Sequence, residues 1–254
     1  VAGQPTPLSV CFQYPDGSGG NITAGPTAAL TPTAEDIDRA EPFLAARREH
    51  AIALAAPEVP LAARAHLLRL GTRHGALRVA SFTTAEMDEA RRLGLFASID
   101  LLALNEDEAA ALAGRELDPR DPEPFLRACA GALEPGTRLV LTAGKQGAYA
   151  WADAAWDYCP AAQVPVASTA GAGDALLAGV IAGLAAGIPL IVPGPRRAAL
   201  AERPLASALD LGTLLAAYSV TSPHTIHPEA NVERLIAFAA ALGLELGEPL
   251  HRMM

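Results

Sequence analysis

Two different spacings of apolar and polar positions run along this chain, and each predicts its own kind of element. Residues 8–13 (Leu-Ser-Val-Cys-Phe-Gln) roughly alternate with a period of two, the mark of a half-exposed strand. Pro15-Asp16-Gly17-Ser18-Gly19-Gly20 is a turn signal, and residues 21–24 return as a second strand, giving a hairpin. Beyond the hairpin, short apolar runs at 50–55, 77–81, 101–104 and 138–142 predict buried strands. Helices are predicted between them, over 34–46 with Thr33 as cap, from Pro60 to 73, over 106–113 up to Gly114, and over 122–133. Thr83-Thr84-Ala85-Glu86 has the form of a capping box opening a further helix. Shorter strands are expected at 147–151 and 156–160, then helices over 174–186, 205–219 and 231–242. The Pro-rich stretch 188–204 reads as a flexible insertion. Strands alternating with helices predict an α/β fold, a mostly parallel sheet with helices on both faces, binding its ligand beyond the C-terminal ends of the strands.

Residues 175–194 contain no charged side chain, and Gly179, Gly183 and Gly187 are spaced by four, as in packed membrane helices. Pro189 and Pro193 interrupt the run, so it predicts a short buried helix packed closely on a sheet, and no membrane span. The composition agrees: 254 residues, 51% hydrophobic and only 5% aromatic, suit one α/β body with a core rich in small residues. A net charge of −9 argues against a nucleic-acid surface, and Arg196-Arg197 and Arg91-Arg92 read as isolated, solvated pairs. The scattered Cys11, Cys129 and Cys159 read as reduced thiols of a cytoplasmic protein.

Three motifs follow predicted strands. Asn105-Glu106-Asp107-Glu108 comes after the 101–104 run. Asn105 and Glu108, three apart on a first helical turn, could hold a hydrated Mg²⁺ near phosphates, or simply form an acidic helix start. Thr142-Ala143-Gly144-Lys145-Gln146-Gly147 offers a hydroxyl, a tight turn at Gly144 and Gly147, and a Lys145 able to approach a phosphate. It also fits a plain glycine turn, and it is not a Walker A loop. Ser168-Thr169-Ala170-Gly171-Ala172-Gly173-Asp174 puts small residues, then one carboxylate, then a helix, an order suited to receiving a phosphate at unpaired helix N–H groups. Asp174 could take a proton from a substrate hydroxyl there, or act as an N-cap. His224 and His227 have metal-like spacing but read better as a loop wall.

The order N-x-x-E after one strand, T-x-G-x-x-G after the next, and G-A-G-D opening a helix resembles the PfkB/ribokinase family of carbohydrate kinases, from the hairpin near Leu8 to about Thr221. The resemblance implies a ribokinase-like fold, with residues 1–25 as the remnant of a β-hairpin lid and 26–254 as the nucleotide-binding α/β domain. It implies that Asp174 deprotonates a sugar or nucleoside hydroxyl, while Gly171, Ala172 and Gly173 form the anion hole for the phosphoryl group of ATP. Asn105 and Glu108 correspond to the pair that organises Mg²⁺ and phosphate, with Glu108 on the metal side. Thr142, Gly144, Lys145, Gly147 and Thr169 fall at the nucleotide, and Val220 lies in the 216–221 helix end beside the adenine.

Two departures stand out. Ser168 replaces the leading Asp that commonly helps hold a monovalent cation, which puts activation by potassium in doubt. Gly19-Gly20-Asn21 does not have the spacing of the family's sugar-binding G-G-x-x-x-N, so the chain reads as a truncated or divergent member. It is then expected to bind nucleotide weakly, to tend toward aggregation, and to phosphorylate no sugar efficiently. The exposed 8–13 strand could pair with a second copy as a homodimer. The alternative is a degenerate nucleotide-binding protein without sugar kinase activity. A dinucleotide-dependent oxidoreductase ranks last, since no G-x-G-x-x-G follows the first strand.

Overall fold

The computed structural model describes residues 5–6, 8–13, 19–23, 28 and 31–254. The backbone divides into two compact units, 1–100 and 101–254.

In the first unit β1 (Ser9–Gln13) and β2 (Gly19–Thr23) pair antiparallel, with Ser9 opposite Thr23 and Val10 opposite Ile22. This is the expected hairpin; of its expected turn over 15–20, Gly19 and Gly20 belong to β2, and residues 15–18 lie outside the described residues. Its apolar side chains Val10, Phe12 and Ile22 are exposed. The helix expected over 34–46 is two helices, α1 (Ala34–Asp38) and α2 (Glu41–Arg47). Pro42 explains the break, because it has no N–H to give the Asp38 carbonyl one turn back. Thr33 caps α1 as expected, in a capping box with Asp36.

β3 (Ile52–Ala55) and β4 (Leu77–Ala80) form a parallel ladder joined through α3 (Leu61–His74), which ends at Gly75 in the left-handed conformation. The capping box at Thr83 and Glu86 leads into α4 (Met87–Arg92). Glu86 has a second role, as ion-pair partner of the almost fully buried Arg64. Arg64 also donates to the Ser81 carbonyl at 3.2 Å and lies over the Phe82 ring, which meets Phe96 edge-on.

In the second unit β5 (Leu101–Asn105), α5 (Glu106–Ala113), α6 (Glu123–Gly131) and β6 (Arg138–Thr142) make a second parallel crossover. β7 (Gly147–Ala152) returns antiparallel against β6, and β8 (Ala155–Pro160) against β7. Parallel ladders joined by helical crossovers are what the alternation predicts, with an antiparallel hairpin added. α7 (Ala172–Ala185) and α8 (Ala208–Ser219) then pack together, followed by α9 (Val232–Ala241) and a short α10 (Glu248–Met253) that the pattern did not show. Gly179 on α7 faces Gly212 on α8 so closely that a Cβ on Gly179 would lie 2.7 Å from the Gly212 Cα. Gly187 has no such role: at φ +76° it follows the end of α7. Among the described residues no helix is long and apolar enough to cross a membrane.

The 188–204 stretch is not the loose insertion its composition suggests. Arg197 is only 3% exposed and ion-pairs with Asp210, against the expectation that Arg196-Arg197 is solvated. Arg196 itself is exposed, yet it donates to the Pro119 carbonyl at 2.6 Å and lies over the Tyr158 ring. Arg91 and Arg92 do stand at the surface, each in an ion pair on its own helix.

Candidate active site

A parallel ladder presents the C-terminal ends of its strands side by side. Asn105 and Thr142, the last residues of β5 and β6, are direct register partners. A cavity of about 820 Å³ opens there. Several separate stretches supply its wall, among them Asn105, Thr142, Gly144, Lys145 and Gly147 from the strand ends, the segment around Gln163 after β8, Thr169, Ala172 and Gly173 from the start of α7, and Val220 from the end of α8. Nine of the twelve sequence-predicted site residues are thus gathered in one place, within the size range of small-molecule sites. Glu108, Gly171 and Asp174 are not among the lining residues. Sequence reasoning passed over Glu106, Asp107, Gln163, Leu176 and Thr213, which do line it. Glu106 and Asp107 sit inside the Asn-x-x-Glu motif, so their acidity was visible; Thr213 had no local signal.

Asn105 and Glu108 form a reciprocal capping box. The Asn105 Oδ1 accepts the Glu108 N–H at 2.8 Å, and the Glu108 Oε2 accepts the Asn105 N–H at 2.9 Å. The helix-start reading of these two residues is therefore realised in the backbone. Replacing Asn105 with Ala should cost about 1 kcal/mol of stability, read from urea unfolding. A larger loss of ligand affinity than of stability would mark a second role for its amide.

The Gly144 turn depends on backbone freedom, with Gly144 at φ +52° and Gly147 at φ +115°. A Cβ on Gly147 would lie 2.1 Å from the Cys159 carbonyl, so no other residue fits. Lys145 is exposed at the cavity rim.

α7 starts at Ala172, with Gly171 at the N-cap (φ +80°) and no side-chain cap. The N-cap is thus Gly171, and Asp174 is the third helical residue, exposed. Ala172 N–H donates to the Thr169 carbonyl at 3.2 Å, so this amide is engaged within its own turn. The Gly173 N–H belongs to the first turn, where no intrahelical acceptor exists, and Gly173 borders the cavity. The Ser168 Oγ accepts the Ala170 N–H at 3.2 Å and shapes the approach to the turn. The Thr225 carbonyl closes over Gly171, 2.2 Å from where a Cβ would stand. Two residues on, His227 stacks on Tyr218 at 4.1 Å, its Nδ1 accepting the Glu229 N–H. Neither His224 nor His227 is among the residues lining the cavity, so the expected loop wall is not seen there. Among the described residues no group of three or more His, Cys, Asp or Glu could hold a metal ion.

Behind the wall lies a buried polar layer. Burial pushes up the pKa of the Cys159 thiol, which lies beside Asp210 and Thr213. Burial also drives the Cys129 thiol up to about 12, so Cys129 and Cys159 are protonated packing groups. Burial works to raise the Asp210 carboxyl, but the Arg197 guanidinium and the Ala206 and Ser207 groups outweigh it and hold it below its ordinary value.

The arrangement offers an anion-facing helix start, a lysine, and carboxylates at the rim of a largely apolar cavity, which suits a ligand with a phosphate end and a flat apolar end. A family profile described as pfkB family carbohydrate kinase matches residues 1–231. No curated protein sequence matched the chain. Among solved structures, ribokinase from Giardia lamblia superposes with a TM-score of 0.71 at 14% identity, covering 95% of this chain and 73% of that one. Adenosine kinase from Sinorhizobium meliloti gives 0.70 at 20% identity, covering 94% and 67%. A probable sugar kinase from Rhizobium etli gives 0.70 at 20%, covering 94% and 66%. The chain thus spans about two thirds of the length of the adenosine and sugar kinases, and shares their fold.

Proposed function

We propose that this chain, which belongs to the pfkB family of carbohydrate kinases, binds ATP in the cavity at the ends of β5 and β6 and passes its γ-phosphoryl group to the hydroxyl of a sugar or nucleoside. The observation that carries the reading is the convergence of the Asn105, Thr142–Gly147 and Thr169–Gly173 stretches on one cavity. The apolar wall from Ala216, Ala217 and Val220 would take the base, and Lys145 would approach the phosphates. The start of α7 would take the transferred group: its dipole and first-turn N–H groups favour negative charge, which grows on the phosphoryl oxygens during transfer.

Asp174 would accept the proton of the attacking hydroxyl. Among the three residues carried over for the anion hole, Gly173 is the best placed donor, since Ala172 already has a partner. Gly171 would serve by letting the chain turn tightly under the Thr225 carbonyl. Mg²⁺ keeps most of its waters and needs few protein ligands, so the residues at the cavity rim fit it. Glu106 and Asp107, which line the cavity, would meet those waters, with Glu108 behind them in the helix cap, and the ion would neutralise phosphate charge when bound.

The donor set fits a monovalent cation poorly. A neutral Ser168 stands before the helix start, its Oγ already accepting the Ala170 N–H. Turnover should therefore be equal in potassium and in choline chloride at matched ionic strength; a strong potassium requirement would contradict this.

The decisive test is a panel of sugars and nucleosides with MgATP, followed by ADP release, beside direct titration with MgADP. Binding of MgADP without transfer to any acceptor would favour the alternative, a nucleotide-binding protein without sugar kinase activity. Absence of nucleotide binding would overturn the reading.

A further inference from the structure

The segment from Pro189 to Ser207 lines no part of the cavity, yet it is fastened to the element that does. It holds the start of α8 in three ways. The Ala208 and Leu209 N–H groups donate to the Pro189 and Leu190 carbonyls at 2.9 and 3.1 Å. The Asp210 Oδ2 accepts the Ala206 and Ser207 N–H groups at 2.9 and 3.1 Å. The Arg197 Nη2 pairs with the Asp210 Oδ1, both side chains being about 98–99% buried. The same segment is tied to β8: the Arg197 Nε donates to the Tyr158 carbonyl at 3.3 Å, and Arg203 pairs with Asp157. One turn beyond Asp210, Thr213 faces the cavity, followed by Ala216, Ala217 and Val220.

A buried carboxylate needs its partner. Removing one member of such a pair leaves an unpaired charge in a poor solvent, whereas apolar side chains of similar size would pack at least as well. Stability alone does not call for this arrangement. What the pair supplies is direction: Asp210 and the Ala206 and Ser207 N–H groups form the cap of α8 itself, and Arg197 ties that cap to the Tyr158 carbonyl of β8. We propose that this segment is a strap, and that Arg197 is a positioning residue that fixes the α8 wall of the nucleotide cavity from outside it. The inference rests on the reading of that cavity as a nucleotide site.

If the strap and the cavity are coupled, the coupling runs both ways. Binding MgADP to the wild-type chain should slow amide exchange in the strap by several-fold, although the ligand does not touch it. The double variant Arg197→Met/Asp210→Asn removes both charges and keeps an amide oxygen for the Ala206 and Ser207 N–H groups. It should bind MgADP about tenfold more weakly than wild type, within the usual range of coupling between sites. Its affinity should fall while its far-ultraviolet dichroism stays that of wild type. Wild-type binding with unaltered exchange in the strap would overturn the proposal, as would a folded double variant that binds within twofold of wild type. If the double variant does not fold, the exchange measurement on the wild-type chain decides alone. Failure of the wild-type chain to bind MgADP would overturn the nucleotide reading, and the strap's role with it, before any variant is compared.

Discussion

Replacing Asp174 with Asn should lower phosphoryl transfer about 1,000-fold, within the range that a positioned general base contributes, and leave MgADP binding within about threefold. The asymmetry follows from what the substitution changes. Asn has the size and shape of Asp but cannot take up the proton of an attacking hydroxyl. Asp174 is exposed and is not among the residues that line the cavity, so its loss removes no part of the nucleotide wall. It does lie in the first turn of α7, where a negative charge is worth roughly 0.3–1 kcal/mol against the helix dipole. The stability loss should therefore be small, and a phosphate at the same helix end should bind slightly better for losing a like charge. Transfer to the acceptor found in the substrate panel, or slow hydrolysis of ATP by water in its absence, supplies the rate; calorimetric titration supplies the affinity. An Asn variant that turns over as fast as wild type would remove Asp174 from the mechanism, and parallel loss of binding and rate would make it a ligand contact instead.

The strand ends were legible in the sequence for a simple reason. Buried parallel strands are continuous apolar runs, so Leu101–Leu104 and Leu139–Leu141 stand out, and the first polar residue after each, Asn105 and Thr142, marks where the strand leaves the core. Short glycine motifs gave the rest, since the turns at Gly144, Gly147 and Gly171 all have positive φ. The break between α1 and α2 was also within reach, because Pro42 stands in the run, but the helical spacing on either side of it masks the interruption.

The polar layer behind the cavity was not legible at all. Arg197 reads as a surface residue by every local rule, with Pro193, Pro195 and Arg196 around it. It is buried because Asp210 lies 13 residues later and the β8 backbone at Tyr158 lies 39 residues earlier. Arg203 likewise depends on Asp157, 46 residues before it. Partners so far apart in the chain meet only once β8 and α8 are in place, and no spacing in the sequence announces them. The roles of Asn105 and Glu108 were ambiguous for the opposite reason. An amide and a carboxylate three residues apart serve a helix start and a hydrated cation equally well, and the backbone uses them for the first.

A methyl group added at Gly212 should destabilise the second unit by about 3 kcal/mol, the upper end of the usual cost of overpacking a core. An ideal Cβ there would lie 2.6 Å from the Leu176 carbonyl oxygen and 2.8 Å from the Val180 Cγ2. The first of these is backbone of α7, which cannot rotate aside, so the two helices must separate. Leu176 lines the cavity from α7, while Thr213 and Ala216 line it from α8, so separation also displaces the two walls of the site. Gly212→Ala should therefore weaken MgADP binding as well as lower the unfolding free energy. Gly179→Ala, whose Cβ would meet the Gly212 Cα at 2.7 Å, should behave alike. Because the two substitutions force apart the same pair of helices, the double variant should lose less than the sum of the two. Gly131→Ala is the control: it lies in the last turn of α6, nothing stands within 4 Å of its Cβ position, and the change should be neutral or stabilising by up to about 1 kcal/mol. Urea unfolding of the three single variants measures the difference. Equal stabilities for Gly212→Ala and Gly131→Ala would mean that α7 and α8 are not in backbone contact, and that the glycine spacing of the 175–194 run has another cause.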